Sequence, residues 1–554
     1  MPPDAPTTAG YDAVVVGAGF SGLCALHELR ALGLCVRVIE AGDDVGGTWY
    51  WNRYPGARCD IESMVYSYSF SEELEQEWTW SERYAAQPEI LRYLQHVADR
   101  FDLRRDIRLG TRVTSAAFDE NEDRWMVATD GGDILSARFL VMATGCLSVP
   151  RLPDIEGIER FQGEVHHTGL WPHEPVDVAG KRVGVIGTGS SAVQAVPALA
   201  ETAAEVIVFQ RTPAFSIPAW NRPLDAETVS EWKSRYRELR VLARETGGGN
   251  PWHTRSKSVH DDTPLERRQE FEKRYRLGGF NLHAAYRDLF TDAEANEMVS
   301  EFVREKIRER VDDPELAELL CPYDYPLATK RMCVDTGYYE AFNRANVRLV
   351  SVKDTPIDAI TARGVRIGAD EYVLDVLVLA TGFDAMTGAL LSIDVRGRGG
   401  RSLKEKWAGG PRSYLGLAIA GFPNLFTVTG PGSPSVLSNM LVSIEQHVEL
   451  IAGCIEHMTE RGFTWVEPTI DAEARWVEHV RDIGEASLYP RAASANSWYM
   501  GANVPGKPRV LLPYVGGVGR YKRECDAIVA NGYEGFAFGA APVSPTAAEA
   551  AASA

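Results

Sequence analysis

The sequence predicts an α/β fold with two Rossmann-like dinucleotide-binding domains and a helical insertion, and three observations carry that prediction. An apolar strand over residues 12–16 runs straight into Gly17-Ala18-Gly19-Phe20-Ser21-Gly22. A second, over 183–186, runs into Gly187-Thr188-Gly189-Ser190-Ser191-Ala192. Two further apolar strands, over 136–145 and 371–382, each end in Ala-Thr-Gly. A strand, a glycine turn and a helix start give a tight turn, close backbone approach to a phosphate and close helix packing. The phosphate would rest on N–H groups at the helix N-terminus, where the macrodipole favours anions.

In the first unit a helix to Leu32 and a strand over 35–39 follow the glycines, and Glu40 ends that strand. A carboxylate there accepts hydrogen bonds from both hydroxyls of an unphosphorylated ribose. FAD is the natural ligand for such a first unit. Glu40 lies 23 residues after Gly17, and the residue 23 after Gly187 is Gln210. The second unit therefore lacks the carboxylate and carries Arg211 and Thr212 beside that position, after a strand over 205–209. A guanidinium pairs with a 2′-phosphate that a carboxylate would repel. This predicts NADP(H) rather than NAD, the alternative for Arg211 being a solvated strand end.

The two Ala-Thr-Gly strands mark where the chain crosses between nucleotide domains, so the FAD domain is expected to be discontinuous. The expected division is 9–147 and 381–540 for FAD, 148–222 and 326–380 for NADP, with a helical insertion at 223–325. Residues 224–320 are rich in Glu, Arg, Lys, Leu and Ala at helical spacing, with Asp225 and Thr291 as expected N-caps. Their charge runs read as solvated helix faces. Residues 541–554, APVSPTAAEAAASA, read as a disordered tail.

The chain has 554 residues, enough for two or three domains. A net charge of −19 argues against a nucleic-acid or anionic-membrane surface. No stretch approaches the roughly 18 apolar residues of a membrane helix, and the start has neither the basic nor the apolar region of a secretory signal. Eight scattered cysteines without a C-x-x-C pair suit a reducing cytoplasm and speak against a metal site or dithiol centre. A monomer or weak homo-oligomer is expected.

Two strings have no generic explanation. One is Phe161-x-Gly163-x-x-x-His167-x-x-x-Trp171-Pro172, just before the second glycine turn. The other is Gly46-Gly47-Thr48-Trp49-Tyr50-Trp51-Asn52-Arg53-Tyr54-Pro55-Gly56-Ala57-Arg58-Cys59-Asp60, just after Glu40. Residue by residue they read as linker and loop packing. As whole strings they resemble the type I Baeyer–Villiger monooxygenases, and GARCDIES at 56–63 resembles the branch holding phenylacetone and steroid monooxygenases. The resemblance runs from about Tyr11 to Phe538 and includes Thr329-Lys330-Arg331 followed by Asp335-Thr336-Gly337-Tyr338-Tyr339.

That resemblance implies an enzyme that uses NADPH, FAD and O2 to convert a ketone to an ester or lactone through a flavin C4a-peroxide, with sulfide oxidation as a side activity. It places Arg331 over the flavin as the catalytic cation, with Asp60 orienting it. A peroxyanion and an oxyanion adduct both require positive charge in a dry site, and a guanidinium supplies it without losing its proton. Thr48, Trp49, Asp60, Tyr66 and Met440 would line the flavin. Further cofactor contacts are implied at Ser21, Arg58, Val113, Thr188, Ser190, Ser191 and Gln194. Lys330 would join Arg211 and Thr212 at the 2′-phosphate, and Trp498 would cover NADP. Ser435, Val436 and Leu437, in the loop before the helix carrying Glu445-Gln446-His447, would border substrate. His167 reads as a hinge or packing residue. Two other readings share the nucleotide turns: a flavin N- or S-oxygenase, and a flavin-binding redox sensor without turnover.

Overall fold

The computed structural model describes residues 9–540; the tail expected at 541–554 lies outside the described residues. Two sheets organise the chain. The first has eight strands, in the order Asp394–Arg396, Val113–Asp119, Arg124–Thr129, Ile134–Met142, Ala9–Val16, Val36–Ile39, Ile107–Arg108, with Leu425–Thr427 also pairing Ile134–Met142. Its centre is parallel: Val15 lies opposite Val38 on one side and Val141 on the other. The second has five parallel strands, in the order Val347–Ser351, Glu205–Gln210, Arg182–Ile186, Val376–Leu379, Glu164–His167. Val14, Val15, Val183 and Val185 are completely buried, as a parallel sheet covered on both faces requires.

The glycine turns and the Ala-Thr-Gly ends meet in space. A Cβ on Gly17 would stand 2.6 Å from the Ala143 carbonyl, and one on Gly187 would stand 2.4 Å from the Ala380 carbonyl. Both glycines also have positive φ, 105° and 119°. Each turn therefore tolerates only glycine, because an Ala-Thr-Gly strand passes directly beside it.

The run expected as one strand over 371–382 is two. Asp370–Val373 belongs to a small antiparallel sheet and Val376–Leu379 to the parallel one. Asp375 breaks the run: its carboxylate accepts the Arg182 backbone N–H and grips the Arg182 guanidinium at 2.9 and 2.7 Å.

The insertion folds as helices Ala226–Glu245, Pro264–Leu277, Ala293–Arg310 and Pro314–Leu320. Asp225 caps the first, accepting from Thr228 N–H. The cap of Ala293–Arg310 is Asp292, not Thr291: its carboxylate takes two N–H groups, of Glu294 and Ala295. The charge runs are not all solvated. Arg240 is buried and donates to Glu75, Ser67 and the Val65 carbonyl, fastening Ala226–Glu245 to the segment after Asp60. Arg304 is buried as well and pairs with Glu297 and Glu301.

Candidate active site

The first cradle is made by two backbones in contact. Gly47, at φ 51°, packs so closely on Gly19 that a Cβ on Gly47 would stand 2.8 Å from the Gly19 Cα. Gly46-Gly47 thus lies on the phosphate turn, and the short helix Thr48–Trp51 starts from it with Thr48 exposed. Ser21 and Gly22 are buried in helix Phe20–Ala31. Glu40 accepts the Ala18 and Gly42 N–H groups at 2.7 Å each, which fixes its carboxylate at the mouth of that turn. Burial raises its pKa against those bonds. Thr111 donates its N–H to the Glu40 carbonyl, which sets Val113 on the same edge, buried beside Val16 and Ile39. Trp49 is buried, and its indole N–H donates to the Tyr66 hydroxyl at 3.2 Å.

At the second cradle Gly189 has open space where a Cβ would be. Thr188 donates its hydroxyl to the Thr212 carbonyl at 2.6 Å, tying the turn to the end of the next strand. Ser190 lies 3.6 Å from the Cys333 sulfur. Arg211 is exposed, and its charge acts on both Lys330 and Arg151. Burial, then the Arg211 charge, pushes the Lys330 pKa down to about 8. Arg211, Lys330 and Arg151 thus lie near enough for their charges to act on one another. Arg151 was not singled out in the sequence; only its place in space marks it.

Asp60 is carried between the cradles. Its loop docks on helix Ser190–Ala200, where Tyr54 donates its hydroxyl to Gln194 Oε1 at 2.8 Å and Gln194 Nε2 donates to the Arg58 carbonyl at 3.0 Å. Gln194 and Arg58, expected as cofactor contacts, thus turn their side chains to protein. The Arg58 guanidinium pairs with Glu82 and the Tyr84 carbonyl. Both residues act on the shape of the Asp60 loop.

Arg331 meets Asp60 across 271 residues of sequence. Its Nε and Nη2 donate to the two carboxylate oxygens at 2.8 Å each, and Nη1 donates to the Val436 carbonyl at 2.7 Å. Of the five N–H groups of a guanidinium, those bonds leave one on Nη1 and one on Nη2. The Phe280 ring lies under the guanidinium, 5.1 Å away. Burial opposes the charge, but Asp60 and then the Tyr499 hydroxyl outweigh it and raise the pKa. Phe280 and Tyr499 carried no signal in the sequence beyond being aromatic.

The substrate-loop residues gather with the cover. Val436, Leu437 and Met440 share one apolar cluster with Trp498, Tyr499 and Tyr489. Ser435 is completely enclosed and gives its hydroxyl to the Thr429 carbonyl at 3.1 Å. Val436 and Leu437 are therefore the better placed of the three to meet a ligand. His167 accepts the Gly169 N–H on Nδ1 at 2.9 Å, and burial lowers its pKa. Among the described residues no group of side chains is arranged to hold a metal ion, and no helix is long and apolar enough to cross a membrane.

Two glycine turns, each at the start of a helix behind a parallel strand, accompany the Asp60-held Arg331. The profile of the pyridine nucleotide-disulphide oxidoreductases matches residues 14–241. Acetone monooxygenase (methyl acetate-forming) of Gordonia sp. (strain TY-5) is 45% identical over 96% of this chain and 99% of its own. A phenazine N-monooxygenase of Lysobacter antibioticus is 42% identical over 95% of this chain and 96% of its own. The solved structure of an oxidised steroid monooxygenase bound to NADP is 54% identical, with a TM-score of 0.92, over 96% of this chain and 100% of that one. The chain belongs to the Baeyer–Villiger monooxygenases. It is an FAD- and NADPH-dependent enzyme, and solved relatives hold both nucleotides.

Proposed function

We propose that this enzyme inserts one oxygen atom of O2 beside a ketone carbonyl, giving an ester or lactone, with Arg331 as its catalytic cation. The observation that carries the reading is the two-point grip of Asp60 on Arg331, placed between the two cradles. FAD, when bound and reduced by NADPH, supplies the activation of O2. The protein's part is electrostatic. Arg331 stays charged, presents to an oxyanion the N–H groups that Asp60 and Val436 leave and that Tyr499 adjoins, and is held in place before the reaction begins. The apolar group around Val436, Leu437 and Trp498 lowers the dielectric on the Val436 side of that charge, which strengthens it. Arg211, Lys330 and Arg151 would hold the 2′-phosphate that distinguishes NADPH from NADH.

A relative titled as an N-monooxygenase at 42% identity favours one second reading, oxygenation of a ring nitrogen or a sulfide. Product connectivity separates the two. The holoenzyme would be incubated with NADPH, air and a panel of linear, cyclic, aryl and steroid ketones beside sulfides and N-heterocycles. Ester or lactone from a ketone supports the first reading, and N-oxide or sulfoxide with no ester across the panel supports the second.

The same reading places the enzyme in the cytoplasm as a monomer or weak homo-oligomer, without nucleic-acid partners. Its eight unpaired cysteines support the reducing compartment, and its net charge of −19 supports the lack of nucleic-acid partners. The division into an FAD domain (9–147 and 381–540) around an NADP domain (148–222 and 326–380) with the insertion 223–325 is supported by strand pairing. Leu425–Thr427 returns to Ile134–Met142, and Val376–Leu379 sits beside Arg182–Ile186.

A further inference from the structure

The Val436 carbonyl that takes Nη1 of Arg331 belongs to a loop in a forced conformation. Thr429 and Ser435 stand at φ 55° and 42°, the left-handed region that a β-branched residue avoids. Such a conformation persists only where the surroundings over-determine it. A buried polar chain does so here. Thr429 donates its N–H to His447 Nδ1 at 3.1 Å. His447 is completely buried in helix Met440–Arg461, and its Nε2 lies 2.8 Å from the Tyr521 hydroxyl. That hydroxyl donates to the Leu415 carbonyl at 2.5 Å, so it accepts from the His447 Nε2–H. Both imidazole nitrogens are thus used in one neutral tautomer, and burial pushes the pKa down to about 4. On its other side, the Thr429 carbonyl accepts from the Ser435 hydroxyl at 3.1 Å and the Cys146 thiol at 3.3 Å. Val436 follows Ser435 directly and reaches Arg331 at 2.7 Å. An unbroken chain of contacts therefore runs from Tyr521 to the guanidinium.

We propose that His447 and Tyr521 are positioning residues for Arg331: they hold Thr429 in its left-handed conformation and, through Ser435, aim the Val436 carbonyl at the guanidinium. The inference rests on the oxygen-transfer role of Arg331 proposed above. Both side chains hydrogen-bond to protein, to Thr429, Leu415 and each other. Removing the chain lets the loop relax toward an ordinary φ, withdraws the third anchor of Arg331 and leaves the cation free to rotate about its Asp60 contact.

The test uses the holoenzyme and scores ester formed per NADPH consumed. His447→Leu should lower this coupling about tenfold, with hydrogen peroxide accounting for the missing NADPH, while anaerobic flavin reduction stays within about twofold of wild type; a misplacement of about 1 Å at a catalytic group costs up to roughly a hundredfold. A purely structural role would not divide the two half-reactions in this way. Thr429→Gly, added to His447→Leu, should recover most of the coupling, because glycine takes a positive φ without steric cost and no longer needs the histidine to hold it. Tyr521→Phe, which removes a single hydroxyl, should shift coupling in the same direction by less, and it decides the matter if His447→Leu folds poorly. Unchanged coupling in these variants, or a double variant no better than His447→Leu alone, overturns the proposal. The parent reading is tested separately: ester formation retained by Arg331→Ala overturns both, whereas ester lost in Arg331→Ala with full coupling in His447→Leu overturns only this one.

Discussion

Replacing Asp60 by asparagine removes the charge beneath Arg331 and leaves the shape. In the wild-type enzyme Nε and Nη2 each donate at 2.8 Å to an anionic oxygen, and Nη1 donates at 2.7 Å to a neutral carbonyl. Asparagine offers one neutral acceptor, and its NH2 group faces an arginine donor. One charge-assisted bond is lost, while the other keeps its cationic donor and only its acceptor becomes neutral. At about 1.5–3 kcal/mol for a charge-assisted bond, the loss is about 1.5–3 kcal/mol. The two side chains keep 24% and 19% of their exposure, so water repairs part of it and about 1.5–2.5 kcal/mol is expected. Spent on holding the cation in its working position, that is roughly ten- to seventyfold in ester formation. The assay pairs steady-state ester formation with the urea midpoint of the holoenzyme, the second reporting how much of the loss is global stability. An Asp60→Asn enzyme with ester formation and midpoint both within about twofold and 0.5 kcal/mol of wild type would mean that Asp60 does not orient Arg331, whatever the distances say.

The nucleotide site should respond to pH and to charge. Burial, and then the Arg211 charge, push the Lys330 pKa from the ordinary lysine range down to about 8. NADPH affinity should therefore weaken as the pH rises through about 8 while NADH affinity does not. Arg211→Ala should weaken NADPH binding by about 1.5–3 kcal/mol and narrow the gap with NADH; an unchanged preference removes Arg211 from the site. The sign for stability is opposite: the buried charge on Lys330 is a penalty at lower pH, relieved between about 8 and 10.5. Gly47→Ala sets a Cβ 2.8 Å from the Gly19 Cα at φ 51°, and neither backbone can step aside, so FAD should be lost during purification and the apoprotein destabilised by more than about 1 kcal/mol. Retention of the full flavin spectrum would contradict that geometry. Arg240→Met strands the buried Glu75 carboxylate and should cost about 3–5 kcal/mol by urea melt. Burial already raises the Glu75 pKa, so the deficit should shrink as the pH is lowered and Glu75 takes up a proton.

What the sequence displays and what it conceals divide along the range of the interaction. The glycine turns are local: a strand, one positive-φ glycine, a second close-approach glycine and a helix start lie within a dozen residues, so the need for glycine shows in the string itself. Even there, the reason Gly17 and Gly187 cannot change is the passing Ala143 and Ala380 carbonyls, which come from far along the chain. Thr291 is a reasonable cap by residue type, but the helix begins at Ala293, so the residue directly before it, Asp292, takes the Glu294 and Ala295 N–H groups. Arg240 went unread for a different cause. On helix Ala226–Glu245 it is one arginine among several, and its partner Glu75 is 165 residues away. Charge at helical spacing reports a solvated face only if nothing distant comes to neutralise it. The active site is the extreme case. Arg331 and Asp60 were named through family likeness, since no spacing rule joins residues 271 apart. That likeness named Arg331 and Asp60, which the structure pairs, and stopped short of Phe280, Tyr499, Arg151 and the His447–Tyr521 pair. Those side chains lie against the guanidinium, near Arg211 or against the loop that carries Val436, and a histidine inside an apolar helix looks the same in sequence whether it merely fills the core or sets the angle of a loop. Only the strained φ of Thr429, visible in three dimensions, distinguishes the two and makes the distinction open to experiment.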